Sequence, residues 1–124
     1  MLLKRIVPSL SLNNGDLVHR ISFQSEEERY IGDPINAVNI FNQYEVDEMF
    51  ILDITATQQK KKINFELLKD LAEEAFFPLA YGGGIKTSED AEKIISLGYE
   101  KIIINSKIIN NLNLLKNCKK KIGN

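Results

Sequence analysis

Four short apolar runs, Lys4 to Leu12 with its β-branched residues, Met49 to Ile54, Pro78 to Tyr81 and Lys101 to Ile104, are the strongest constraint in this chain. Each leads sooner or later into a stretch with apolar residues at helical spacing. After Asp33-Pro34, a cap followed by a first-turn proline, come Ile35, Val38, Phe41 and Asn42. Ile63, Leu67, Leu68 and Leu71 stripe a second helix within Ile63 to Ala75. Thr87-Ser88-Glu89-Asp90 caps a third, with Ala91, Ile94, Ile95 and Leu97 inside and Gly98 as its terminator. Ile108 to Lys121 forms a fourth, weakened by its asparagines. Short strands apolar on both faces, alternating with helices, imply a parallel sheet with helical crossovers.

Composition narrows the class. The chain has 124 residues, 44% hydrophobic and 27% charged, with a formal net charge of -1, so one globular domain spanning 1–124 is expected. The near balance of charge gives no reason to expect nucleic acid. No apolar run reaches the ~18 residues of a membrane span, and no secretory leader is recognisable, so a cytoplasmic address with no membrane contact is expected. Cys118 has no companion cysteine and no nearby histidine, which suits an inert helix residue. No metal-spaced Cys/His cluster and no Walker sequence occur, so no metal or cofactor is implied.

An open doubly wound sheet and half of a (β/α)8 barrel both accommodate four βα units. Three features favour the barrel. The first strand passes Asn13-Asn14-Gly15 into a long loop with a small hairpin over 16–32, not into a helix. Gly82-Gly83-Gly84 follows the third strand, not the first as in a dinucleotide fold. Arg5, Glu48 and Lys101 all stand at strand starts with the parity of Val7, Phe50 and Ile103. Three charges at one level of an apolar interior are costly unless they pair. A half-barrel would leave that inner face and two strand edges open, which favours association. A signalling receiver on an open sheet ranks last, because the acidic pair expected after its first strand is missing.

Lys4-Arg5-Ile6-Val7-Pro8, Gly32-Asp33-Pro34, Val46-Asp47-Glu48, Phe50-Ile51-Leu52-Asp53-Ile54-Thr55-Ala56, Gly82-Gly83-Gly84-Ile85 and Lys101-Ile102-Ile103-Ile104-Asn105 occur in this order. Together they resemble the cyclase subunit of imidazole glycerol phosphate synthase, the HisF-type barrel of histidine biosynthesis, over its N-terminal half. The resemblance implies that ammonia from a HisH-like glutaminase enters the barrel floor, passes a gate of paired charges and reacts with a phosphorylated substrate at the top. Arg5, Glu48 and Lys101 match gate positions, and Glu100 matches an acidic position that meets the glutaminase. Gly84, Asn105 and Ser106 match a phosphate-binding region. The family's acid/base aspartate at the end of strand one is here Ser11, which titrates too high to replace a carboxylate unaided. The lysine of the following loop is His19. These departures resemble the divergent HisF-like branch of surface-polysaccharide clusters, thought to help install an amidino nitrogen on a sugar.

Several residues admit two readings. Ser11 is a substrate-binding hydroxyl or a neutral filler; Asp53 is a polar site residue or a loop cap. His19 is a general acid near neutral pH or a solvated loop residue. The three glycines cradle phosphate or permit a tight turn. The Arg5, Glu48 and Lys101 set is a gate or a structural ion network. Lys60-Lys61-Lys62 and Lys119-Lys120-Lys121 suit solvated faces. Two functions follow: an ammonia-accepting synthase subunit, paired with itself or with a complementary half-barrel, or an inactive half-barrel scaffold.

Overall fold

The computed structural model describes residues 4–13, 15–20, 28–54, 62–104 and 112–123. Its strands are β1 (Ser9–Asn13), β2 (Asp16–Arg20), β3 (Glu28–Gly32), β4 (Met49–Asp53), β5 (Leu79–Gly82) and β6 (Lys101–Ile103). Its helices are α1 (Pro34–Gln43), α2 (Phe65–Glu74), α3 (Ser88–Ser96) and α4 (Leu112–Ile122). One sheet runs β3-β2-β1-β4-β5-β6. The pairs β1/β4, β4/β5 and β5/β6 are parallel, whereas β2 and β3 add antiparallel beside β1.

That order selects between the two architectures. A doubly wound sheet reverses its strand order partway, but here each new parallel strand lies beside its predecessor on the same side. Crossovers of one hand moving in one direction put every helix on one sheet face. Leu10, Leu12, Met49, Ile51, Leu79 and Tyr81 point into that helix layer and join Val38, Leu68, Leu71, Ala91 and Ile94 in the core. The α/β architecture is half of a (β/α)8 barrel.

Local chemistry explains the helix ends. Asp33 accepts from the Ile35 amide at 3.1 Å, and Asn64 accepts from the Leu67 amide at the start of α2. Thr87 and Asp90 form a reciprocal capping box on α3. Asn42 ties α1 to the end of α2: its amide donates to the Glu74 carbonyl and its oxygen accepts from the Phe76 amide, both at 2.9 Å. The Tyr99 hydroxyl, fully inside, donates to the Leu68 carbonyl at 2.9 Å.

Two expectations need adjustment. The first strand begins at Ser9 rather than Lys4, because Pro8 has no amide to give to a ladder. Residues 4–8 nevertheless run alongside β4, with the Phe50 amide donating to the Pro8 carbonyl at 2.9 Å. The hairpin expected after β1 is present as β2 and β3, but it joins the main sheet. Its two strands extend the sheet, and Ser11 pairs with Val18. The edge of β1 expected to be open therefore carries β2 at its upper end, where its unpaired amides and carbonyls offered a ready template.

Candidate functional site

The sheet face turned away from the helices is built in rows. Ser9, Phe50, Ala80 and Lys101 stand side by side in one row, and Ser11, Leu52, Gly82 and Ile103 in the next. Glu48 precedes Phe50 by two residues and shares its side. Its carboxylate lies within salt-bridge distance of two cations: 2.6 Å from the Lys101 Nζ and 3.4 Å from the Arg5 guanidinium. The Glu48 side chain is only 4% exposed, while those of Arg5 and Lys101 are 54% and 48% exposed. A second carboxylate, Glu100, sits 3.7 Å from Lys101 on the outer side. The structure thus brings Arg5, Glu48, Lys101 and Glu100 to one place at the N-terminal ends of the parallel strands.

The electrostatics follow from that geometry. The hydrogen bond from Lys101 to Glu48 holds the ammonium's pKa above its ordinary value, against an opposing effect of desolvation. Two cations reaching in from the rim offset the cost of burying this carboxylate on the inner face.

At the other ends of the strands lie the remaining candidates. Ser11 stands on the inner face, beside Leu52. Asp53 pairs with Leu12, so its parity is that of the helix side, and the structure does not bring Ser11 and Asp53 onto one face. Asp53 instead adds to the burial that pushes the Tyr81 phenol far up, and the Tyr81 hydroxyl donates to the Gly83 carbonyl at 2.9 Å. Gly83 and Gly84 have φ values of 127° and 69°, which L side chains rarely adopt. A methyl group on Gly83 would overlap the Asp53 carbonyl oxygen, so this glycine serves the close approach of the β4 and β5 ends. Asn105 and Ser106 lie outside the described residues, as does the side chain of His19, whose backbone pairs with Arg29. Cys118 is buried in α4, and burial raises its thiol pKa.

Asp47 is the residue that sequence reasoning passed over. It was visible only as the middle of Val46-Asp47-Glu48, yet its carboxylate accepts from the Ile6 amide at 2.6 Å. Among the described residues no His, Cys, Asp and Glu group is arranged to hold a metal ion, and no helix is long and apolar enough to cross a membrane.

Comparison with known proteins agrees with this architecture. A family model described as "Histidine biosynthesis protein" matches residues 5–124. The "Putative imidazole glycerol phosphate synthase subunit hisF2" of Pseudomonas aeruginosa is 46% identical over 123 residues, covering 99% of this chain and 48% of that protein. A similarly named HisF subunit of Leptospira interrogans is 46% identical over 124 residues, covering 100% and 48%. The imidazole glycerol phosphate synthase subunit HisF of Streptococcus sanguinis is 37% identical over 123 residues, covering 99% and 48%. The chain therefore spans about half the length of the curated relatives it matches. With the family model covering nearly every residue of a chain with half-barrel topology, the chain belongs to the histidine biosynthesis protein family and is HisF-like.

Proposed function

We propose that this chain supplies one side of a HisF-type synthase subunit that takes ammonia at its floor and uses it on a phosphorylated substrate at its top. The observation that carries the reading is the buried Glu48 carboxylate held between Arg5 and Lys101 on the inner face. Ammonia is small, neutral and able both to donate and to accept hydrogen bonds, so a hinged ion pair can admit it while holding back hydrated ions. In this reading a HisH-type glutaminase docks on the outer rim, where Glu100 is exposed beside Lys101.

The substrate end rests on fewer contacts. Glycine amides after β5 approach an anion closely, and strand C-termini are where barrels carry their chemistry. Gly84, Asn105 and Ser106 are assigned to a phosphate, and Ser11 and Asp53 to the rest of the substrate. Because Ser11 stands where the family places an acid/base aspartate, the reaction we favour is delivery of an amidino nitrogen to a sugar of a surface polysaccharide. Four further βα units, from a second copy or a complementary half-barrel, would close the inner face.

Titration calorimetry of a HisH-type glutaminase into the chain tests the docking step. Saturable heat is expected, with Glu100→Lys weakening the affinity about tenfold or more by placing like charge against a basic partner surface. No heat with the unaltered chain would overturn the proposal and leave the scaffold reading.

A further inference from the structure

The Arg5 side chain can meet Glu48 only if the backbone beneath it is held, and packing does not hold it. Residues 4–7 are exposed, and Ile6, the natural anchor of such a segment, is 65% exposed. Pro8 removes one amide from the ladder. Three hydrogen bonds take over, and all three go to one residue. The Asp47 amide donates to the Ile6 carbonyl at 3.1 Å, the Ile6 amide donates to Asp47 Oδ2 at 2.6 Å, and the Arg5 guanidinium donates to the Asp47 carbonyl at 3.3 Å.

The local register shows why a side chain is needed. The Phe50 amide meets the Pro8 carbonyl, and the next bond down joins Asp47 to Ile6. Two residues on the first segment are therefore matched by three on the second, an offset that interrupts regular pairing and re-aims the side chains around it. At this offset the Ile6 amide goes to a side chain, not to a backbone carbonyl. The Asp47 carboxylate fills that place with a short, charge-assisted bond.

We propose that Asp47 is the positioning residue of the charge cluster: by gripping Ile6 on both its amide and its carbonyl, it holds Arg5 against Glu48. Lys101 needs no such help, because it reaches Glu48 from the far strand through its own 2.6 Å bond. The two cations thus arrive by separate routes, Lys101 from β6 and Arg5 from the segment whose Ile6 amide the Asp47 carboxylate holds. This inference rests on the proposed function for its purpose, since it makes Asp47 the element that sets one half of the gate.

The test uses isotope-labelled chain and nuclear magnetic resonance of the side-chain nitrogens. In the unaltered protein, Arg5 is expected to show resolved, slowly rotating Nη signals and Lys101 a detectable ammonium signal. Asp47→Ala should collapse the Arg5 pair to one averaged signal and leave the Lys101 signal in place. Asp47→Asn keeps a neutral acceptor and should give a rotation rate between the two. Arg5 signals unchanged in Asp47→Ala would overturn the inference, and so would loss of the Arg5 and Lys101 signals together in a variant whose amide spectrum shows it folded. If Asp47→Ala does not fold, Asp47→Asn decides, and Arg5 rotation equal to that of the unaltered chain overturns it. The glutaminase titration is read separately: a null result there with the Asp47 effect intact removes the gate and leaves an ordered charge cluster.

Discussion

Glu48 sits deep while its two cations reach it from the rim, and the bond it accepts from Lys101 ties the stability of the cluster to pH. Lys101 has a raised pKa in the folded chain because its ammonium is bonded to Glu48. A group with a raised folded pKa contributes its full stability below its unfolded value, about 10.4 for lysine, and loses it as pH climbs through the folded value. Lys101→Met is therefore expected to melt below the unaltered chain by a constant margin between about pH 6 and 9. That margin should narrow above about pH 10.5; thermal melts that show it widening there would contradict the assignment. Arg5, Glu48 and Lys101 were readable as a set because strand parity alone puts them on one face. Asp47 was not, because its contribution depends on an offset between two segments 41 residues apart in the chain.

At the scale of elements, the β4 and β5 ends meet through glycines used for different reasons. Gly82 stands on the inner face, where an added methyl would press on the Ile103 and Leu52 side chains at 3.0–3.1 Å, with the Ile103 carbonyl oxygen also at 3.1 Å. Gly83 has both a positive φ and the Asp53 carbonyl against it. Gly83→Ala is expected to lower the unfolding free energy by roughly 2–4 kcal/mol in urea titrations, and Gly82→Ala by clearly less. Equal losses would place the strain elsewhere. The triple glycine thus has a structural duty whatever it binds, a duty its sequence position announces but does not apportion. The helices were legible from caps and stripes, down to the Thr87 capping box. β2 and β3 were less so, since their loose alternation becomes a sheet only beside the edge of β1.

For the molecule as a whole, the row of Ser9, Phe50, Ala80 and Lys101 and the row above it form the inside of a cylinder of which this chain is one side. The helix layer is sealed by the core, but Phe50, Leu52 and Ile103 are only half-buried and Val7 is exposed. Partly exposed apolar residues on a continuous sheet face favour association. Sedimentation velocity at micromolar concentration is expected to give a dimer or larger species for the purified chain. A clean monomer would show that the inner face tolerates water and would count against closure by a second copy.

The order of strand and helix, the helix caps and the set of charges sharing one face were determined by the sequence alone, because periodicity and capping are local properties that need no knowledge of distant neighbours. Three things waited for the tertiary structure. The strand order β1-β4-β5-β6 distinguishes a barrel wall from a reversing sheet, and the β2–β3 strands cap one edge. The third is the grip of Asp47 on Ile6. Each is a pairing between segments far apart in the chain, and such pairings are chosen by the competition of all open amides and carbonyls for partners, which no single stretch of residues records.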